Sequence, residues 1–272
     1  MSELYRDREP TDTYAPADYY LDDAEFTKLQ NALVASTQDQ SGQEGIHAVW
    51  IAQNHPYANV VRTLEAKQFP EIPEIMEPFE DQSVFLALTD TRPEQRRVVH
   101  AFRLSSIFLA GRTELPGGDT LGIAFIDDIV ASGQGVDIEA FKTYYASEGI
   151  DLTKCVSVET NFRVGMKKVE VESGLRVSDL GYIAVFQALE KLGLDKEDAV
   201  VFAHLNQPAI GSLGALGISY APVMGRDDLK TPTVGENPFD EKYRPVVIPT
   251  SAANVAIFKQ LLPFAAPEVN FS

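Results

Sequence analysis

Apolar positions along the chain follow two periods, and the switches between them mark out the elements. Residues 46–52 alternate as a strand, and helical spacing at Val60, Val61, Leu64 and Ala66 predicts a helix over 55–68. An earlier helix is expected over residues 23–37, and Pro70, Pro73 and Pro78 are expected to stop regular structure. The runs SVFLALT (83–89) and RVVHAFRLS (97–105), joined by Asp90-Thr91-Arg92-Pro93, predict a β-hairpin. Residues 111–135 read as loop, with a turn at Pro116-Gly117-Gly118-Asp119, and residues 138–147 read as a short helix; the stretch 107–152 is expected to be an insertion or lid.

CVSVETNFRV (155–164) alternates again as a strand, and SDLGYIAVFQALEKL (178–192) is an amphipathic helix that Ser178 can cap. A strand over 199–205, a helix over 208–216 opened by Pro208, strands at 218–223 and 244–248, and a helix over 252–262 complete the reading. The order is β-α-β-β-(insert)-β-α-β-α-β-β, a mixed α/β sheet without internal repeats. An N-terminal arm and helix (1–45), a central domain (46–225) and a C-terminal strand and helix that complete it (226–272) are the expected divisions.

Composition narrows the function more than the fold. The 272 residues carry 23 Lys and Arg against 40 Asp and Glu, a net charge of 23 − 40 = −17, which repels nucleic-acid phosphates and anionic membrane surfaces. An anionic ligand therefore needs a local basic cluster or free backbone amides. The single cysteine, Cys155, permits no intrachain disulfide, and His47, His55, His100 and His204 lack metal-ligand spacing, so no metal site is expected. A charged N-terminus without an apolar core and the absence of a long apolar run predict a cytoplasmic protein with no membrane span. Cys155 opens its strand without a neighbouring histidine and is expected to be buried or inert.

The stretch Asn206-Gln-Pro-Ala209-Ile210, with Gly217 and Ile218 eleven and twelve residues after the asparagine, resembles the GNAT acyltransferase family. In that family an Asn ends strand five, an Ala and an aliphatic residue begin a helix, and a Gly-aromatic pair opens the next strand. Here Ile218 stands at the aromatic position, and Leu213 stands where the family often has an acidic Tyr. Upstream, Arg176-Val-Ser-Asp179-Leu180-Gly181 is similar to the family's phosphate-cradling loop, Q/R-x-x-G-x-G/A, with Asp179 at the middle Gly. Arg103-Leu104 and Glu159-Thr-Asn-Phe162-Arg163-Val164 resemble the R-L and E-x-x-R strands of the acyl-homoserine-lactone (autoinducer) synthases, a branch close to the long-chain N-acyl amino acid synthases; Glu80-Asp81 faintly echoes their acidic turn.

The resemblance implies a GNAT-like mixed, mostly antiparallel sheet flanked by helices, splayed between strands 156–164 and 199–205. It implies acyl transfer from an acyl-CoA or acyl carrier protein thioester to the amine of a small molecule such as an amino acid, without a permanently bound cofactor. Backbone amides at Leu180, Gly181 and Tyr182 would hold phosphate, with Arg176 supplying charge, and Asn206 would bind pantetheine or cap the next helix. Glu159 would take the amine proton, Arg163 would pair with it or hold a substrate carboxylate, and Arg103 would orient the acceptor. A charge such as Arg103 in an apolar run must otherwise be paired or solvated. His100 and His204 are either proton relays or satisfied core histidines. The alternative function is a catalytically silent acyl-CoA-binding or sensing protein.

Overall fold

Alternation along residues 46–105 folds into three antiparallel strands, β1 (Ile46–Ala52), β2 (Ser83–Asp90) and β3 (Arg97–Ser105), which begin a seven-stranded sheet. The computed structural model describes residues 20–109, 111–116, 120–164, 175–232 and 239–251. β3 pairs antiparallel with β4 (Val156–Arg163), β4 pairs parallel with β5 (Val200–Asn206), and β5 pairs antiparallel with β9 (Tyr243–Pro249). The two-residue strand β6 (Ala221–Pro222) closes the order β1-β2-β3-β4-β5-β9-β6. A separate ribbon joins β7 (Thr231–Pro232) to β8 (Phe239–Asp240). One parallel pair in a mostly antiparallel sheet flanked by helices is the mixed, mostly antiparallel arrangement expected from the sequence.

Helix α6 (Val177–Lys191) covers one face, where Leu180, Ile183, Phe186 and Leu189 pack on Phe102, Leu104, Val156 and Val201. On the other face, α1 (Asp23–Ser41) and α2 (Ala58–Gln68) cover β1 to β3 through Leu33, Val60 and Val61 against Phe85 and Ala101. α1 is held at both ends: Asp22 accepts from the Ala24 and Glu25 amides at 2.9 Å, and Gly42, at φ 64°, takes the left-handed position that follows a helix.

Four expectations need correction. The stretch after Phe69 is not irregular: α3 (Ile72–Met76) and a 3-10 turn (Glu77–Gln82) hold Pro73 and Pro78 in their first turns, where a missing N–H costs nothing. Residues 111–135 contain a helix, α4 (Ala124–Ala131), anchored by Asp127, whose carboxylate accepts from the Leu121 and Gly122 amides at 2.6 and 3.0 Å. The stretch read as a lid is core, because α4 and α5 (Ile138–Ser147) pack Phe125, Ile126, Ile129 and Phe141 against Phe202 and Val247. The strand expected at 218–223 shrinks to β6 followed by a 3-10 turn, and the helix expected at 252–262 lies outside the described residues.

Candidate active site

The sheet opens where β4 and β5 part. Their parallel pairing runs only from Val156↔Val201 to Val158↔Ala203. At the same point β4 carries a bulge: Leu104 faces Val158 and Arg103 faces Thr160, so Glu159 has no residue opposite it on β3. The bulge exchanges the faces of the strand. Val156 and Val158 pack with α6, whereas Thr160 donates to Glu65 of α2 and Phe162 packs among the α2 residues. An unbroken strand would have kept all four on one face. Asn161 is thereby turned toward α6, where its Nδ2 donates to the Tyr182 hydroxyl at 2.9 Å.

A cavity of about 1070 Å³ occupies the opening. Its lining comes from elements on both faces of the sheet, and the two sides differ in charge. From α3, the following turn and α4 come Ile72, Ile75, Met76 and Phe125 together with Glu71, Glu74, Glu77 and Asp128. From β4, from α6 with its cap Arg176, and from the end of β5 that caps α7 (Gln207–Ala215) come Asn161, Arg163, Arg176, Ser178, Tyr182 and Asn206. Glu159 lies between them, partly buried, with Oε1 sealed from solvent and without a hydrogen-bond partner among the described residues. Burial pushes its carboxyl up to about 7; the Ser157 hydroxyl opposes that rise, and Asp128 reinforces it.

The other acid–base candidates in the wall are held neutral. Burial lowers His100 to about 4 and His204 to about 3. The His204 Nδ1 lies 2.7 Å from the Thr231 hydroxyl, and its ring centroid is 3.8 Å from that of Phe125. Cys155 is buried, with its thiol pushed up to about 12, chiefly by that burial.

The structure separates the residues singled out in the sequence. Glu159, Arg163, Arg176, Tyr182 and Asn206 all line the cavity. Arg103 does not. It points to the α2 face, where its Nε and one terminal nitrogen bind Glu65 at 3.0 and 2.6 Å and the other terminal nitrogen binds Glu80 at 2.5 Å. Arg62 reaches the same Glu80 from Nε at 2.6 Å, and both guanidiniums lie over the Phe85 ring at 4.9 and 4.8 Å. Burial opposes the charge on Arg103, but Glu65 and Glu80 outweigh it and hold the group protonated. Arg103, expected to orient the acceptor, instead lies outside the cavity lining with its guanidinium taken up by Glu65 and Glu80.

The phosphate cradle expected at Leu180, Gly181 and Tyr182 is corrected as well. All three lie inside α6, where amides are spent on the helix; the Leu180 amide donates to the Arg176 carbonyl at 3.1 Å. Asp179 explains the change, because its carboxylate accepts the Arg176 amide at 2.9 Å and also the Arg176 guanidinium, which reaches on to Ser212 at 2.9 Å. Gly181 serves packing: a Cβ there would stand 2.6 Å from Cζ of Phe102. Gly181→Ala is expected to cost about 1–3 kcal/mol by overpacking, read as a lower denaturant midpoint. Asn206 caps α7, its Oδ1 accepting the Ala209 amide at 3.0 Å.

The sequence reading missed the acidic wall from α3 and α4, since those stretches read as loop, and it missed the Tyr182 side chain, which it valued only for its amide. Asn161, two positions after Glu159 on the same strand, was the available signal. Among the described residues no group of His, Cys, Asp or Glu is arranged to hold a metal ion, and no helix is long and apolar enough to cross a membrane.

The fold is similar to that of CoA-dependent acyl-homoserine lactone synthases. BjaI, solved with SAM and isopentyl-CoA, superposes with a TM-score of 0.42 at 15% identity over 83% of this chain and 96% of its own. The same enzyme with MTA gives 0.38 at 13% identity, again over 83% and 96%. MesI gives 0.37 at 8% identity over 79% and 94%. The sequence matches no protein-family model and no curated protein.

Proposed function

We propose that this protein is an N-acyltransferase that moves an acyl group from an acyl-CoA or acyl-carrier-protein thioester to the amine of a small molecule. The observation that carries the reading is Glu159, a carboxyl near pKa 7, set in a bulge where the sheet opens onto a cavity with oppositely charged sides. Beyond Val158 and Ala203 the facing edges of β4 and β5 no longer pair with each other, so an extended amide-bearing pantetheine arm has backbone groups to bind. Arg163 and Arg176 are exposed on one side and suit the anionic end of the donor. The carboxylates of α3 and α4 on the other side suit a cationic amine.

In this reading the cationic amine first gives up one proton to water, which frees the nitrogen lone pair; the nitrogen then attacks the thioester carbonyl, the C–N bond forms and the C–S bond breaks. Glu159 takes the proton the amine loses on attack and returns it to the thiolate, directly or through water. No covalent enzyme intermediate is needed, and Cys155 is too deeply buried and too basic a thiol to form one. The second reading is a catalytically silent thioester-binding protein. It is favoured by Asp179, which draws the Arg176 guanidinium onto itself and sets a negative charge at the opening of α6.

Melting curves with acetyl-, octanoyl- and palmitoyl-CoA test the shared premise, since a ligand at 100 times its Kd adds about 2.7 kcal/mol to stability. A rise in Tm that grows with chain length is expected. Amine-dependent thiol release with the best thioester then separates the enzyme from the silent protein. No shift with any of the three, nor with an acylated carrier protein, would remove both readings.

A further inference from the structure

Tyr182 ends a directed chain of hydrogen bonds in the cavity wall. The His100 Nε2 lies 2.6 Å from Oδ1 of Asn161, and Asn161 Nδ2 lies 2.9 Å from the Tyr182 hydroxyl. An amide oxygen only accepts, so in this arrangement His100 carries its proton on Nε2 and the phenol oxygen accepts from Asn161. Reversing the amide would force the proton onto His100 Nδ1, which is buried without a partner, and a buried N–H without an acceptor is the costlier state. The chain therefore runs from His100 to Tyr182, and the last O–H is left to be given away. Among the described residues no acceptor takes it.

Two further features keep the phenol in that role. Its ring packs edge-on against Phe102 at 6.1 Å between centroids, which in turn stacks on His100 at 4.7 Å, so ring and hydroxyl are both fixed. Burial raises the phenol above its ordinary value, and the lowered His100 stays neutral above about pH 5, so the direction of the chain persists through the neutral range.

From this geometry we infer that Tyr182 is a further catalytic residue, whose hydroxyl donates to the carbonyl oxygen of the bound thioester and holds the oxyanion that forms when the amine attacks. The inference rests on the acyl-transfer reading above. When the C–N bond forms, the carbonyl π electrons move onto oxygen, where the Tyr182 O–H receives them as a hydrogen-bond donor and keeps its own proton. When the C–S bond breaks they return to carbon, and the thiolate takes the proton held by Glu159. Asn161 is the positioning residue for this donor, acting on the substrate only through the phenol.

Octanoyl-CoA carrying a 13C-labelled carbonyl, bound to the full-length protein without acceptor, gives a readout independent of turnover. The carbonyl stretch of the bound thioester is expected at lower frequency than in water, and Tyr182→Phe is expected to return it toward the value of an unbonded carbonyl with the affinity for octanoyl-CoA retained. The kcat of Tyr182→Phe is expected to fall about 10²–10³-fold with KM little changed. Asn161→Leu leaves the phenol but removes its donor, and is expected to broaden the band and lower kcat part of the way; it carries the test if Tyr182→Phe proves unstable. An identical carbonyl band in wild type and both variants would overturn the inference while leaving acyl transfer standing. Failure of the wild type to bind octanoyl-CoA would overturn the coenzyme-thioester reading and this inference together.

Discussion

Glu159→Gln is expected to lower kcat/KM about 10²–10⁴-fold while leaving affinity for octanoyl-CoA unchanged, because the substitution removes the proton acceptor and keeps the shape of the cavity wall. The wild-type pH profile follows from the same group. A general base works when deprotonated, so kcat/KM is expected to rise through an apparent pKa near 7 and level off above it. A profile without that limb, or a Gln variant of undiminished activity, would remove Glu159 from the reaction.

Stability carries the opposite sign. The folded-state pKa of Glu159 lies above its ordinary value of 4.5, so between that value and about 7 the native protein holds a proton that the unfolded chain has lost. Native stability accordingly falls as pH rises through this window, where the buried carboxylate is forced to ionise. Glu159→Gln has no charge to bury. It is expected to melt with the wild type at pH 4 and to be more stable than the wild type at pH 8, by about 1–3 kcal/mol. A catalytic group that destabilises its own fold is what this combination of lost activity and gained stability would reveal.

Arg103→Ala is expected to be the most destabilising of the substitutions considered, at about 3–5 kcal/mol, because it leaves the carboxylates of Glu65 and Glu80 buried with their principal counter-charge removed. Arg62 still reaches Glu80, so the loss should concentrate at Glu65, whose remaining partner in the cluster is the Thr160 hydroxyl. Arg103→Lys keeps a charge but loses the planar fork that spans two carboxylates, and an intermediate loss is expected. Denaturant midpoints measure both. Arg103 does not line the cavity, so the folded fraction of either variant should bind octanoyl-CoA as the wild type does. A variant of native stability that had lost ligand affinity would return Arg103 to the binding site.

These two expectations show how differently the residues of one motif can behave. Arg103 and Glu159 stand on neighbouring strands and belong to the same sequence resemblance, yet one faces α2 and the other the cavity. In the sequence both are charges in apolar β runs. The bulge at Glu159, together with the end of β4–β5 pairing at Val158, sets the Glu159 carboxyl toward the cavity, whereas Arg103 on β3 faces Glu65 and Glu80.

Much of the architecture follows from period alone. The hairpin of β2 and β3, the strand 156–163, the body of the helix 177–191 and the cap at Asn206 were all readable, because alternation, helical spacing and capping chemistry are local properties that a linear chain displays; the cap expected at Ser178 lies instead at Arg176, whose amide the Asp179 carboxylate accepts. α4 was not readable, since glycines at 122, 133 and 135 crowd its flanks and its anchor, Asp127, binds amides that only the folded loop presents. The same holds for the Asp179 carboxylate, which in sequence counts as a negative charge at a phosphate loop and in the fold is the acceptor that ties Arg176 to the start of α6. By itself the sequence determined which segments become strands and helices and which residues carry ionisable groups. The tertiary structure alone decided which of those groups face one another across the opened sheet, because burial, the bulge and the parting of β4 from β5 are set by contacts between residues far apart in the chain.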